Sequence, residues 1–154
     1  MLKYLNTDVV FQEVPNETAL AINITGCPCR CPGCHSPYLW ADTGFPFSNE
    51  SLDGLIAGVR SNITCVAFMG GDASPAEVNA LAAHVHAEHP GLKTAWYSGR
   101  TVLSYEIDLH NFDYIKLGPY LAHLGALKDR HTNQKFYKVE EGKLVDITSV
   151  FWRK

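Results

Sequence analysis

Apolar and polar positions along this chain change period several times, and each change predicts an element. Residues 20–25 alternate and are rich in isoleucine, which reads as a strand running straight into a cysteine-containing loop at Gly26. Leu52, Leu55, Ile56 and Val59 then recur at helical spacing behind Ser48 and Asn49, predicting a helix of about three turns with one apolar face. A strand over 63–69 ends in Gly70, Gly71 and Asp72. Ser74, Pro75 and Glu77 follow as N-cap, first-turn proline and capping-box acid of a second helix. Its buried stripe is Val78, Leu81, Ala82 and Val85, and His89, Pro90 and Gly91 stop it. A third strand, 93–97, runs into Ser98 and Gly99, and a fourth, 114–117, ends at Gly118 and Pro119.

Strands alternating with helices predict an α/β fold of right-handed βαβ units on a parallel sheet. Four strand ends carry glycine, cysteine or acid, and parallel sheets place ligands at those carboxyl ends. The tail differs. Residues 136–139 and 143–147 flank Glu140, Glu141 and Gly142, the pattern of a hairpin with a glycine-bearing turn. With no repeat, linker or low-complexity stretch, residues 1–154 are expected to form a single domain.

Composition narrows the function classes. A chain of 154 residues, 46% hydrophobic and 19% charged, can bury a full core. Its 13 basic and 16 acidic residues, net −3, are spread along the chain and give no basic footprint for nucleic acid or an anionic membrane. No stretch approaches the roughly 20 apolar residues of a spanning helix, and the opening residues lack a basic segment followed by an apolar core. A cytoplasmic protein is the expectation. Four of the five cysteines fall between Cys27 and Cys34, too crowded to staple distant loops as disulfides, so metal is the expected use.

Cys27, Cys31 and Cys34 place three thiolates on one loop stiffened by Pro28, Pro32 and Gly33. Three ligands hold three corners of a [4Fe–4S] cubane and leave one iron open, an arrangement suited to chemistry rather than to electron transfer alone. The other readings are a structural zinc or a four-cysteine electron-transfer cluster, with Cys29 or Cys65 as fourth ligand. Cys29 lies two residues from both Cys27 and Cys31, a cramped spacing, and Cys65 sits inside the 63–69 strand, where a buried core residue is the ordinary role.

The CPCRCPGCH stretch followed by MGGD resembles the radical S-adenosylmethionine (SAM) superfamily, with its cysteine triad and its glycine-rich, acid-ended strand loop. CPGCH, SPYLW, YSGR, the GP step and TNQ further resemble the activating proteins of anaerobic ribonucleoside-triphosphate reductase, over nearly the whole chain. The resemblance implies an incomplete parallel β/α barrel of the radical SAM type, open on one side, with a C-terminal hairpin-like extension. It implies two cofactors, a [4Fe–4S] cluster and S-adenosyl-L-methionine, whose reductive cleavage gives methionine and a 5′-deoxyadenosyl radical. It also implies a protein substrate, the reductase, on which a glycyl radical is made, and a low-potential electron donor such as flavodoxin. A homodimer is compatible with it.

Residue by residue, the resemblance assigns the cluster to Cys27, Cys31 and Cys34, and backbone contacts with the adenosine half of SAM to Gly33, Cys34 and His35. Gly70 and Gly71 would let backbone approach the ligand, and Asp72 would accept from the methionine ammonium. Ser98 and Gly99 would touch the methionine carboxylate or the ribose; an ordinary turn is the competing role for all five. Arg100 and Lys116 are candidates to face an anionic group, and Asn133 and Gln134 to meet a partner. His84, His86 and His89 read as surface residues. The chain departs from its relatives at His35, where tyrosine is common, and at VPNETAL, which replaces a glycine-rich stretch. Rival functions are activation of another glycyl-radical enzyme, a small-molecule radical reaction, or a non-catalytic iron–sulfur or zinc module.

Overall fold

The computed structural model describes residues 2–26, 43–121 and 123–152. Among the described residues, eight strands form one sheet: β1 (Lys3–Val10), β2 (Ala19–Ile24), β3 (Phe45–Pro46), β4 (Cys65–Met69), β5 (Lys93–Tyr97), β6 (Tyr114–Leu117), β7 (Lys135–Glu140) and β8 (Lys143–Asp146). Their spatial order is β3-β1-β2-β4-β5-β6-β7-β8. The central four, β2, β4, β5 and β6, are parallel, and both flanks are antiparallel. Helices α1 (Asn49–Ala57) and α2 (Pro75–Glu88) lie in the β2–β4 and β4–β5 connections.

The central strands are apolar at nearly every position because both of their faces are covered. Leu20, Ile22, Ile24, Val66, Phe68, Trp96 and Ile115 point to one face, where Leu52 and Ile56 of α1 and Val78, Leu81, Ala82 and Val85 of α2 pack on them. The alternate residues Ala19, Cys65, Ala67 and Ala95 are smaller and, with Tyr114, meet Val14, Leu127 and Phe136. So both α-helices pack on the same sheet face.

Several expectations are corrected. The parallel run is four strands inside a mixed sheet, and the β5–β6 crossover carries only a 3-10 turn at Leu109–Asn111. Sequence reasoning missed β1, whose polar-rich exposed positions mask its pairing with β2. Helix α1 ends at Gly58 rather than running through Val59, and its capping box joins Ser48 to Ser51, whose Oγ accepts from the Ser48 N–H at 2.8 Å. The capping box expected at α2 is absent: Ser74 makes no side-chain cap, and Glu77 accepts instead from the Leu2 N–H at 3.2 Å. Pro75 does open that helix. At the tail, Glu140 pairs with Lys143, so the hairpin turn is two residues, Glu141 and Gly142, both at positive φ as a primed turn requires.

A buried carboxylate ties the sheet together opposite the parallel strands' carboxyl ends. Glu17 accepts from Thr64 Oγ1 at 2.7 Å, Tyr114 OH at 2.8 Å and Lys93 Nζ at 3.0 Å. Burial alone would raise its pKa, but these donors outweigh burial and hold it below the ordinary glutamate value. Nothing in the spacing of Glu17, Thr64, Lys93 and Tyr114 announces this; only strand register brings them together.

Candidate functional site

The carboxyl ends of β2, β4, β5 and β6 lie side by side because those strands are parallel and in register, Asn23 facing Met69 and Met69 facing Tyr97. The cysteine loop leaves from the first of them. Cys27, Cys31, Cys34, Gly33 and His35, together with Cys29, lie outside the described residues. The two flanks of that loop are placed, however. The Thr25 N–H donates to Lys3 O at 2.9 Å, and the Thr25 hydroxyl donates to the backbone carbonyl of Thr43. Thr25 and Thr43, the flanks of that loop, thus meet at the carboxyl end of β2.

Beside it, Gly70 and Gly71 have φ of +110° and +94°, values that side-chain-bearing residues rarely adopt. Space demands glycine as well: a Cβ on Gly71 would lie 2.5 Å from Val78 Cγ2, and one on Gly70 3.2 Å from Ile24 O. This turn aims Asp72 at the next strand end. Ser98 Oγ donates to Asp72 Oδ1 at 2.5 Å, and the Gly99 N–H donates to Oδ2 at 2.8 Å. Asp72 and Ser98 are 7% and 1% exposed, so this is a fixed carboxylate rather than a solvated one. The structure therefore brings Gly70, Gly71, Asp72, Ser98 and Gly99 into one contiguous cradle.

The bracing of this cradle escaped the sequence reading. The Trp96 indole N–H donates to Gly70 O at 2.7 Å and braces the glycine turn from β5. Lys116 is buried, and its ammonium donates to Ser98 O at 3.1 Å and Gly118 O at 2.7 Å, tying the ends of β5 and β6. Lys116, expected as a candidate to face an anionic group, thus has its ammonium on two backbone carbonyls. A cavity of about 410 Å³ opens here, lined by Asp72, Pro75, Trp96, Ser98 and Arg100 among others. Asn133 donates to Pro119 O at 3.0 Å and Gln134 is buried, so both brace the Gly118–Pro119 step from within.

Cys65 is fully buried, and burial pushes its thiol pKa up. It faces Ala19 in register, five residues back from Ile24 along β2, roughly 16 Å from the loop end of that strand at about 3.3 Å per residue. The three histidines expected on the surface are instead partly buried and bonded: His84 and His89 to Asp53, and His86 to Asp113 and Thr94.

The family model that matches this chain is described as a 4Fe-4S single cluster domain, and it covers residues 18–121. That span runs from the strand preceding the cysteine loop to just beyond the Gly118–Pro119 step, and so contains every strand end of the cradle. Among curated proteins, the anaerobic ribonucleoside-triphosphate reductase-activating proteins of Salmonella typhi and Salmonella typhimurium are each 32% identical over 87 residues, which is 51% of this chain. The match spans only about half of those relatives, 56% of their length. No solved structure matches.

Proposed function

The chain belongs to the 4Fe-4S single cluster domain family, and from that premise we propose that it is a radical SAM activating enzyme for anaerobic ribonucleoside-triphosphate reductase. Cys27, Cys31 and Cys34 would hold one [4Fe–4S] cluster; three soft thiolates on one short loop suit iron–sulfur ligation. The observation that supports the reading is the position of the residues flanking that loop: Thr25 meets Thr43, and Ile24 lies against Gly70 of the cradle.

When bound, the cluster supplies an open iron and the electron that breaks the sulfonium carbon–sulfur bond of SAM. The chain's own residues bind and orient. Gly70 and Gly71 let backbone come close to the methionine end of SAM, and Asp72 offers carboxylate lone pairs to its ammonium. Ser98 and Gly99 hold that carboxylate in place, and Ser98 borders the cavity where the methionine carboxylate or the ribose would lie. Gly33, Cys34 and His35 would contact the adenosine half. On this reading the four parallel strands and two helices would be part of an incomplete β/α barrel, whose open side would admit the reductase loop that receives a glycyl radical. A low-potential donor such as flavodoxin would supply the electron in the cytoplasm.

Anaerobically reconstituted protein given dithionite and SAM should yield methionine and 5′-deoxyadenosine. With the candidate reductase added, electron paramagnetic resonance should show a glycyl doublet. Cys31→Ala should abolish cluster, products and doublet together. Zinc in place of iron, or an iron–sulfur protein that yields neither product, would refute the radical reading; cleavage without a doublet would reassign the substrate.

A further inference from the structure

We infer that Asp53, His84 and His89 form a binding site for a divalent transition cation of the zinc type, separate from the cysteine loop. His84 Nε2 and His89 Nε2 converge on the same carboxylate oxygen, Asp53 Oδ1, at 2.8 and 2.6 Å. The ligand atoms of all three residues lie within 4.8 Å of one another. Two imidazoles and one carboxylate are an ordinary donor set for Zn²⁺. Bonds of about 2.0–2.2 Å would place tetrahedral ligand atoms roughly 3.3 Å apart, so an ion enters by spreading each carboxylate–imidazole pair by less than about 1 Å.

The three side chains come from different parts of the fold. Asp53 is on α1, His84 is near the end of α2, and His89 is the residue that caps that helix. The two imidazole rings meet edge to face, centroids 6.1 Å apart and planes at 73°, which keeps both Nε2 atoms aimed at one point. The histidine side chains are 18% and 19% exposed and the carboxylate 44%, so the imidazoles are held by packing while one side stays open for water as a fourth ligand. Helix α2 starts beside Asp72 and is 14 residues long, about 21 Å, so the trio stands at the far end of the sheet from the SAM cradle. A bound ion would tie α1 to the turn that feeds β5.

The site is independent of the function proposed above, and one sample tests both separately. Protein reconstituted with iron and sulfide, its cysteines thus occupied, is given one equivalent of Zn²⁺, desalted and analysed for zinc, iron and SAM cleavage. Retained zinc is expected, with X-ray absorption showing only nitrogen and oxygen neighbours at about 2.0–2.2 Å and no sulfur near 2.3 Å, a readout that needs no variant. Asp53→Asn, His84→Asn and His89→Gln should each weaken zinc binding by at least about 10–100-fold while leaving iron content and SAM cleavage unchanged. Loss of all zinc on desalting, a sulfur shell, or equal affinity in the three variants would overturn the site. None of these outcomes would touch the cluster assignment.

Discussion

Replacing Gly71 by alanine tests the cradle most directly. Its φ of +94° is a conformation that costs a residue with a side chain about 1–3 kcal/mol. The new methyl would also stand 2.5 Å from Val78 Cγ2, with Ile24 Cδ1 at 3.4 Å and Leu2 Cδ1 at 3.6 Å. Val78 cannot swing aside, because a β-branched residue in a helix has one strongly preferred rotamer and this one is wholly buried. Overpacking of this kind costs about 1–3 kcal/mol, and the reduced freedom of the unfolded chain returns less than about 1. The net destabilisation is about 2–5 kcal/mol, a large share of a small protein's typical stability. In a urea titration followed by circular dichroism, with a slope near 2 kcal/mol/M, the midpoint should fall by about 1–2.5 M. Gly54→Ala is the internal control: it lies inside α1 with nothing within 4 Å of its Cβ, and should stabilise by about 0.5–1 kcal/mol. Combining Gly71→Ala with Val78→Ala should cost less than the sum of the two changes, since the clash has gone. A Gly71→Ala midpoint within about 0.3 M of wild type would refute the steric argument.

Three further outcomes are expected. Asp72→Ala leaves the Ser98 hydroxyl and the Gly99 N–H without their acceptor; it should cost about 1–3 kcal/mol in a urea titration and reduce methionine release from SAM at least tenfold with cluster content unchanged. Glu17→Gln should cost about 1.5–3 kcal/mol at neutral pH through weakened bonds to Thr64, Tyr114 and Lys93. Because the folded pKa of Glu17 is depressed, its stabilisation is complete above the unfolded glutamate value and disappears as pH falls through the folded one, so the gap between wild type and variant should close on acidification; a constant gap would refute the charge argument. Cys65→Ala should retain the full iron content of wild type, measured by iron assay after reconstitution, since that thiol stands at the other end of the sheet; lost iron would return it to the ligand set.

The candidate site was legible where one short segment carries its own chemistry. Gly70, Gly71 and Asp72 announce a backbone bend ending in an acid because that signal is local; the metal-loop reading of CPCRCPGCH rests on an equally local signal and lies outside the described residues. The same holds for Pro75 opening α2 and for the turn at Glu141 and Gly142. The His84–Asp53–His89 convergence was not legible, because His84 and His89 are more than thirty positions from Asp53 and meet it only when two helices pack on one sheet face. The bracing of Gly70 by Trp96 and of Ser98 by Lys116 escaped for the same reason.

By itself, then, the sequence determined the α/β alternation, the three-cysteine loop at a strand end and the acid-ended glycine turn that follows, since periodicity, backbone freedom and ligand spacing act over a few residues. Tertiary structure alone decided the strand order, the antiparallel pairing of β1 with β2 and of β6 with β7, and the long-range partners of Glu17, Asp72 and Lys116. Those depend on register between strands far apart in the chain, where a shift of one residue would turn Asp72 away from Ser98 and send Cys65 to the opposite face.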